Sequence, residues 1–283
     1  MTPASTADHA PAAARRPVAS LEWFARIGYA ARGLVFAILA AFTALAAFDA
    51  QARPVDGKDA LRALLRQPAG STLLLVVASG LLCFALWRTA QGWLDADRLG
   101  ADLKGVARRA VYGAAGLFYA GFALVAFSMV FGLHTRSSER TIHDITAWLL
   151  GKPMGQWIVA LAGCAILVTG LCIGTAGLRA EFAARLALKE KPRWFVTMLG
   201  VAGYLTRAMV YALVGAFLIF AARDSNAHEA AGLAGAMQLI KRLPHGAVLL
   251  GLTAAGLLAF GLYGFAEALF RRVHPGTVQS IRK

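Results

Sequence analysis

The chain has 283 residues, 58% of them hydrophobic and only 16% charged, with mean hydropathy +0.59 and a formal net charge of +14. That leaves too little polar surface to cover a soluble core of this length, so the class is integral membrane. The basic excess resembles that of a nucleic-acid binder until the charges are sorted along the chain, which gives them a use at the membrane instead.

The opening stretch, residues 1–20, "MTPASTADHAPAAARRPVAS", is rich in Ala, Pro and small polar residues and predicts a disordered tail. A cleaved signal peptide is the rival reading, because "ALAAFDA" offers small residues after an apolar stretch. The length of that stretch, Arg32 within it and its recurrence later in the chain favour retention. Crossing ~30 Å of hydrocarbon takes roughly 20 helical residues. Six segments are long enough: about 27–48, 71–93, 110–133, 154–178, 197–222 and 246–270. Continuous apolar runs of this kind mean helices rather than barrel strands. Cys83, Cys164 and Cys172 all fall inside spans, where each is expected to act as a small buried hydrophobe, with no disulfide or zinc spacing.

Sorted by side, Lys and Arg number 17 on the side of the N-terminus and 10 on the opposite side, with Arg32 and Arg207 left inside spans. The positive-inside rule then puts both termini in the cytoplasm. Loops such as "RAEFAARLALKEKPRW" (179–194) would attract anionic lipid headgroups, a simpler use of basic charge than nucleic acid.

The odd spans align with one another as "GYAARGLVF" (28–36), "VYGAAGLFY" (111–119) and "GYLTRAMVY" (203–211). Tyr29, Tyr112 and Tyr204 coincide, as do Phe36, Tyr119 and Tyr211, and Arg32 coincides with Arg207, while the middle copy has Ala115. The even spans align as "GLLCFALWRTAQ" (80–91), "GLCIGTAGLRAE" (170–181) and "GLLAFGLYGFAE" (256–267), which puts Gln91, Glu181 and Glu267 in one column. Each pair is joined by a segment ending in Pro-x-Gly: Pro68 and Gly70, Pro153 and Gly155, Pro244 and Gly246. Apolar residues before each proline recur every three to four positions and predict a short amphipathic helix on the outer face, stopped by the proline.

The run "ARIGYAARGLVF", followed by "RALLRQPAG" and "GLLCFALWRTAQGWLDADRLG", resembles the bacterial DUF1206 family, of unknown function and built from three tandem two-helix units. The resemblance covers about residues 20–273 and implies a bacterial inner-membrane protein; it supplies no reaction. The middle copy departs from the pattern by lacking the Arg and the first Gly.

The expected fold is all-α: six transmembrane helices as three hairpins with pseudo-threefold symmetry. The repeats are expected over 21–98, 104–190 and 194–273, with a cytoplasmic tail at 274–283. Two spans per unit make the copies parallel, which excludes inverted-topology repeats. Gly170 and Gly174, and Gly251, Gly256 and Gly261, suggest close helix packing.

At 100° per residue, Tyr29, Arg32 and Phe36 share one face, as do Tyr204, Arg207 and Tyr211. An arginine facing the centre of the hydrocarbon costs ~2.5–3.5 kcal/mol or more, so this stripe should face protein, water or the interface. Pairing of Arg32 or Arg207 with Glu267, with Glu181 as a further candidate partner, is the natural answer. Snorkelling to headgroups, anion binding and gating stay open beside a purely structural pair.

The six histidines are scattered, with no i, i+4 pair and no H-E-x-x-H, so no metal is expected. No Walker loop, G-x-S-x-G or other catalytic pattern is present, so neither an enzyme nor a cofactor is expected. Gly28, Gly33, Gly200 and Gly203 read as packing surface rather than a phosphate loop. Trp23, Trp93, Trp148, Trp157 and Trp194 lie near span ends, as an interfacial belt would. Two functions stay open: a small channel, transporter or transport accessory, and a non-catalytic scaffold or lipid-interacting protein.

Overall fold

The structure is a computed structural model that describes residues 12–49, 52, 54–93, 100, 102–133, 138–180, 182–183 and 190–270. Among these the chain forms six long helices, α1 (Ala12–Phe48), α3 (Gly70–Trp93), α4 (Leu103–Val130), α6 (Gly155–Leu178), α7 (Glu190–Arg223) and α9 (Gly246–Phe270). Three shorter ones, α2 (Gly57–Leu65), α5 (Ser138–Leu150) and α8 (Leu233–Arg242), join them in pairs. No described residue lies in a strand. Each long helix contains a stretch of 24 to 31 residues apolar enough to cross a bilayer, so the fold is that of a multi-pass membrane protein.

Helix α1 is already formed at Ala12, the first described residue and inside the stretch expected as a tail, because an alanine run propagates a helix that the apolar span has already nucleated. Residues 1–11 and the tail expected over 274–283 lie outside the described residues.

The three Pro-x-Gly turns share one geometry. Their middle residues, Ala69, Met154 and His245, are left-handed with φ of 58°, 65° and 61°. The next N–H, of Gly70, Gly155 and Gly246, donates to the carbonyl of Gln67 (2.8 Å), Lys152 (2.9 Å) and Leu243 (2.8 Å). Glycine is required there by space: a Cβ would strike the carbonyl of Leu65, Leu149 or Lys241 at the end of the short helix. Pro68, Pro153 and Pro244 stop α2, α5 and α8, since proline brings no N–H to continue them. The short helices bury one face, with Ala60 and Leu61 inward on α2 and Ala236, Met237 and Ile240 inward on α8.

Between repeats, every even helix packs on the odd helix of the next copy: α3 on α4, α6 on α7, and α9 back onto α1. The three crossings are close at glycine. A Cβ would come within 2.9 Å of Gly113 N if built on Gly92, of Gly215 O if built on Gly163, and within 2.8 Å of Gly261 O if built on Gly33. Gly170 and Gly174 serve the α6 and α7 crossing, and Gly256 and Gly261 face α7 and α1, whereas Gly251 meets no neighbour within 4 Å.

Within repeats only two of the three crossings form, α1 with α3 and α7 with α9. Gly28 lies against Phe84 and Gly203 against Phe260, and a Cβ on either glycine would stand 2.6 Å from that phenylalanine. The aligned residue of the middle copy is Val111, which is 56% exposed, and α4 makes no comparable crossing with α6. The neighbour order is therefore α4, α3, α1, α9, α7, α6, an arc open between its ends. Burial follows this order, at 50 to 56% in the spans of α1, α3 and α9 and 17 to 22% in those of α4, α6 and α7.

The peripheral position of α6 also corrects the expectation that all three cysteines are buried. Cys83 is partly covered, but Cys164 and Cys172 are exposed, because α6 turns only its glycine face to α7. Trp23, Trp93, Trp157 and Trp194 are exposed at or near the ends of the apolar spans, and Trp148 is exposed on α5.

Replacing Gly28 with Val is expected to push α1 off α3 and lower the melting temperature in detergent, by the roughly 1–3 kcal/mol typical of overpacking or more. Val111→Gly, outside any close crossing, should change stability by no more than the ~1 kcal/mol that a helical glycine loses.

Candidate functional site

The end of the bundle where the odd helices begin is held by a pair of arginine clamps. Arg26 Nη1 donates to the carbonyls of Ala268 (2.9 Å) and Leu269 (2.7 Å) at the end of α9. Arg109 Nε and Nη2 donate to those of Gly92 (2.9 Å) and Trp93 (3.0 Å) at the end of α3. Donors and acceptors occupy equivalent positions of the internal alignment, and the third copy has Val201 in place of the arginine. Each clamp satisfies carbonyls that a helix leaves unpaired and places a cation at the negative end of its dipole. The clamps set the height of α1 on α9 and of α4 on α3.

Further into the bundle, Arg32 Nη2 donates to Glu267 Oε2 at 2.5 Å, joining the first long helix to the last, with both side chains buried. The Arg32 guanidinium lies over the rings of Tyr29 (5.1 Å), Phe84 (5.1 Å) and Phe260 (4.8 Å). Arg207, its repeat partner on α7, lies over the other side of the same cluster, 4.6 Å from Phe260 and 5.6 Å from Phe36, and donates to Tyr211 Oη at 3.2 Å. Arg88 on α3 lies 5.1 Å from Phe84 and 5.0 Å from Tyr112, and donates to Gln91 Oε1 at 3.1 Å. Arg88, Phe84, Arg32, Phe260 and Arg207 thus form an alternating row of cations and rings. Each such contact, when desolvated, is worth about 2 kcal/mol.

The remaining candidates surround this row. Tyr29 is fully buried and accepts from Trp87 Nε1 at 3.2 Å. Tyr204 stacks on Phe182, with centroids 4.9 Å apart. Gln91 and Glu267, from one alignment column, each answer an arginine, whereas Glu181 lies outside the described residues. Pro68, Gly70, Pro153, Gly155, Pro244 and Gly246 are at the opposite end of the long helices and build turns, not this site. Among the described residues no group of three His, Cys, Asp or Glu side chains could hold a metal ion.

The row carries three positive charges. Glu267 supplies one negative charge, and among the described residues no carboxylate lies within ion-pair distance of Arg88 or Arg207. Nε of Arg32 and Nε of Arg88 are buried without a hydrogen-bond partner. Exposure divides the cluster in two. Arg32, Tyr29, Phe84 and Phe260 are closed off, at 3% exposure or less. Arg207, Tyr204, Tyr211, Tyr112 and Tyr119 are only half-buried. Arg207 and Tyr204 thus keep accessible surface that Arg32 and Tyr29 lack. Tyr119 of α4 and Tyr204 of α7 are electrostatic neighbours of both Arg32 and Arg207, so the arc curves to bring α4 and α7 to the same row.

Sequence reasoning missed Arg88, counted with the loop after its span, and the two phenylalanines. Phe84 and Phe260 occupy one column of the even-span alignment, opposite the Arg32 and Arg207 column of the odd spans, and that recurrence was the available signal. Arg88 has no such signal: its aligned residues are Leu178 and Gly264.

Glu267→Leu leaves the Arg32 charge enclosed without a counter-ion and is expected to lower stability by about 3–5 kcal/mol. Adding Arg32→Met should recover most of that loss. Denaturation of both single variants and the double variant in detergent measures the coupling, and additive losses would show that the two groups act separately.

The family described as Domain of Unknown Function (DUF1206) matches the chain three times, at residues 27–95, 110–180 and 202–271. The uncharacterized protein YxxB of Bacillus subtilis (strain 168) is 29% identical over 254 residues, covering 88% of this chain and 91% of the relative. No solved structure matches. Each matched segment takes in the greater part of one odd long helix, the turn and the whole of the even helix that follows, and together the three span most of the sequence. The chain therefore belongs to the DUF1206 family, as three tandem copies of its two-helix unit.

Proposed function

We propose that this protein is a non-enzymatic, multi-pass protein of the bacterial cytoplasmic membrane, with both termini in the cytoplasm, that binds and passes an anion at its arginine cluster. One observation carries this reading: three guanidinium groups inside the spans face a single described carboxylate, and one end of their row, at Arg207, is only half-buried. Charge enclosed in a membrane bundle is expensive, and where it is kept it marks a ligand or ion route by default. Guanidinium suits oxyanions because its planar fork donates two parallel hydrogen bonds. The basic loops on the side of the N-terminus support the orientation and would hold anionic lipid near the site. Nucleic acid is not a partner in this reading.

The closed packing around Arg32 favours a second reading, in which the protein is a membrane scaffold and the Arg32 to Glu267 pair only fixes helix register. The two separate at Arg207, which has no carboxylate partner among the described residues. In proteoliposomes loaded with a panel of inorganic and organic anions, the wild type should show flux and Arg207→Gln, reconstituted as folded protein, should lose about tenfold or more of it. Absence of flux for the whole panel, or equal flux in the variant, would favour the scaffold.

A further inference from the structure

We infer that the anion taken by the arginine cluster is the phosphodiester headgroup of an anionic lipid, admitted sideways from the bilayer through the opening between α4 and α6. The inference rests on the anion-binding reading above and adds both the ligand class and its route.

The route follows from packing. Three repeats would close a ring through six helix crossings, three between repeats and three within them, and the one that fails is that of α4 with α6. It fails where Val111 replaces the glycine that lets α1 and α7 approach their partners at Gly28 and Gly203. Both helices flanking the opening are apolar enough to span the membrane, so the opening gives onto lipid. On the other side of the row, Tyr29, Phe84 and Phe260 close around Arg32.

The ligand class follows from what lines the way in. Arg207 and the tyrosines at 112, 119, 204 and 211 are half-buried. Aromatic side chains with polar tips suit a molecule that brings acyl chains and a charged head together. At the inner end, the row holds two more cations than described anions, and buried Nε atoms on Arg32 and Arg88 have hydrogens with no acceptor. A phosphodiester supplies one negative charge and unesterified oxygens that accept charge-assisted bonds. A free soluble anion matches the charge but not the membrane-facing entrance.

The test uses the full chain in nanodiscs of phosphatidylcholine doped with phosphatidylglycerol, with co-purifying lipid quantified by native mass spectrometry and inorganic phosphate titrated as the soluble alternative. Phosphatidylglycerol should be retained over phosphatidylcholine by about tenfold. That preference should vanish in Arg207→Gln and in Ala115→Trp, which fills the position on α4 aligned with Arg32 and Arg207. Arg242→Gln, at the far end of the bundle, should keep it. If Arg207→Gln does not fold, Ala115→Trp and Arg207→Lys decide, the first losing the lipid and the second retaining a reduced preference. Preference undiminished by both Ala115→Trp and the Arg207 variant would mean binding at the general surface and would overturn the inference. Saturable binding of inorganic phosphate without any lipid preference would overturn it while leaving the anion-binding reading standing. Binding of neither would overturn both.

Discussion

The charge of Arg32 is enclosed between the first and last spans, and the rest of the bundle is arranged around keeping it there. Its partner Glu267 is 235 residues away in sequence, so the ion pair forms only once α9 has returned to α1. That return depends on close approach. Gly33 on one helix and Gly261 and Gly264 on the other leave no room for a Cβ at the crossing, and the Arg26 clamp on the end of α9 sets the height at which the two helices meet. With height and distance fixed, the guanidinium lies among Tyr29, Phe84 and Phe260, which shield it from lipid and attract its charge through their ring faces.

The same parts recur around the arc with one omission. Repeats 1 and 3 hold a glycine against a phenylalanine, and repeat 2 holds neither, since the residues aligned with Gly28 and Phe84 are Val111 and Gly174. Gly174 is used instead against Ala208 of α7. The middle hairpin is therefore the one whose two helices separate, each attached to a neighbouring copy. A symmetric trimer of hairpins would have closed its core completely, whereas this chain has a closed side at Arg32 and a half-open side at Arg207. The asymmetry lies in the covalent sequence, so every molecule opens at the same place.

Local signals carried much of this. Span lengths, the threefold alignment, the Pro-x-Gly turns and the stripe of Tyr29, Arg32 and Phe36 could all be read directly, because each depends on hydropathy, period or backbone chemistry over a few residues. The turns were legible as a motif but not in their mechanism. The left-handed residue is Ala69, Met154 or His245, and the glycine is needed for clearance, which only the path of the preceding helix reveals. Arg88 was missed because hydropathy places a charge near a span end with the adjoining loop, and its neighbours come from other helices: Tyr112 from α4 and Tyr29 from α1.

By itself the sequence determined the class, the six spans, the three copies and the presence of arginines on recurring faces, since these follow from the cost of placing polar groups in hydrocarbon and from repetition along one chain. Only the tertiary structure decided which carboxylate answers Arg32, which rings enclose it, and where the arc stays open. Those outcomes depend on which helix surfaces can approach to backbone contact, and that is a property of pairs of helices that no single segment contains.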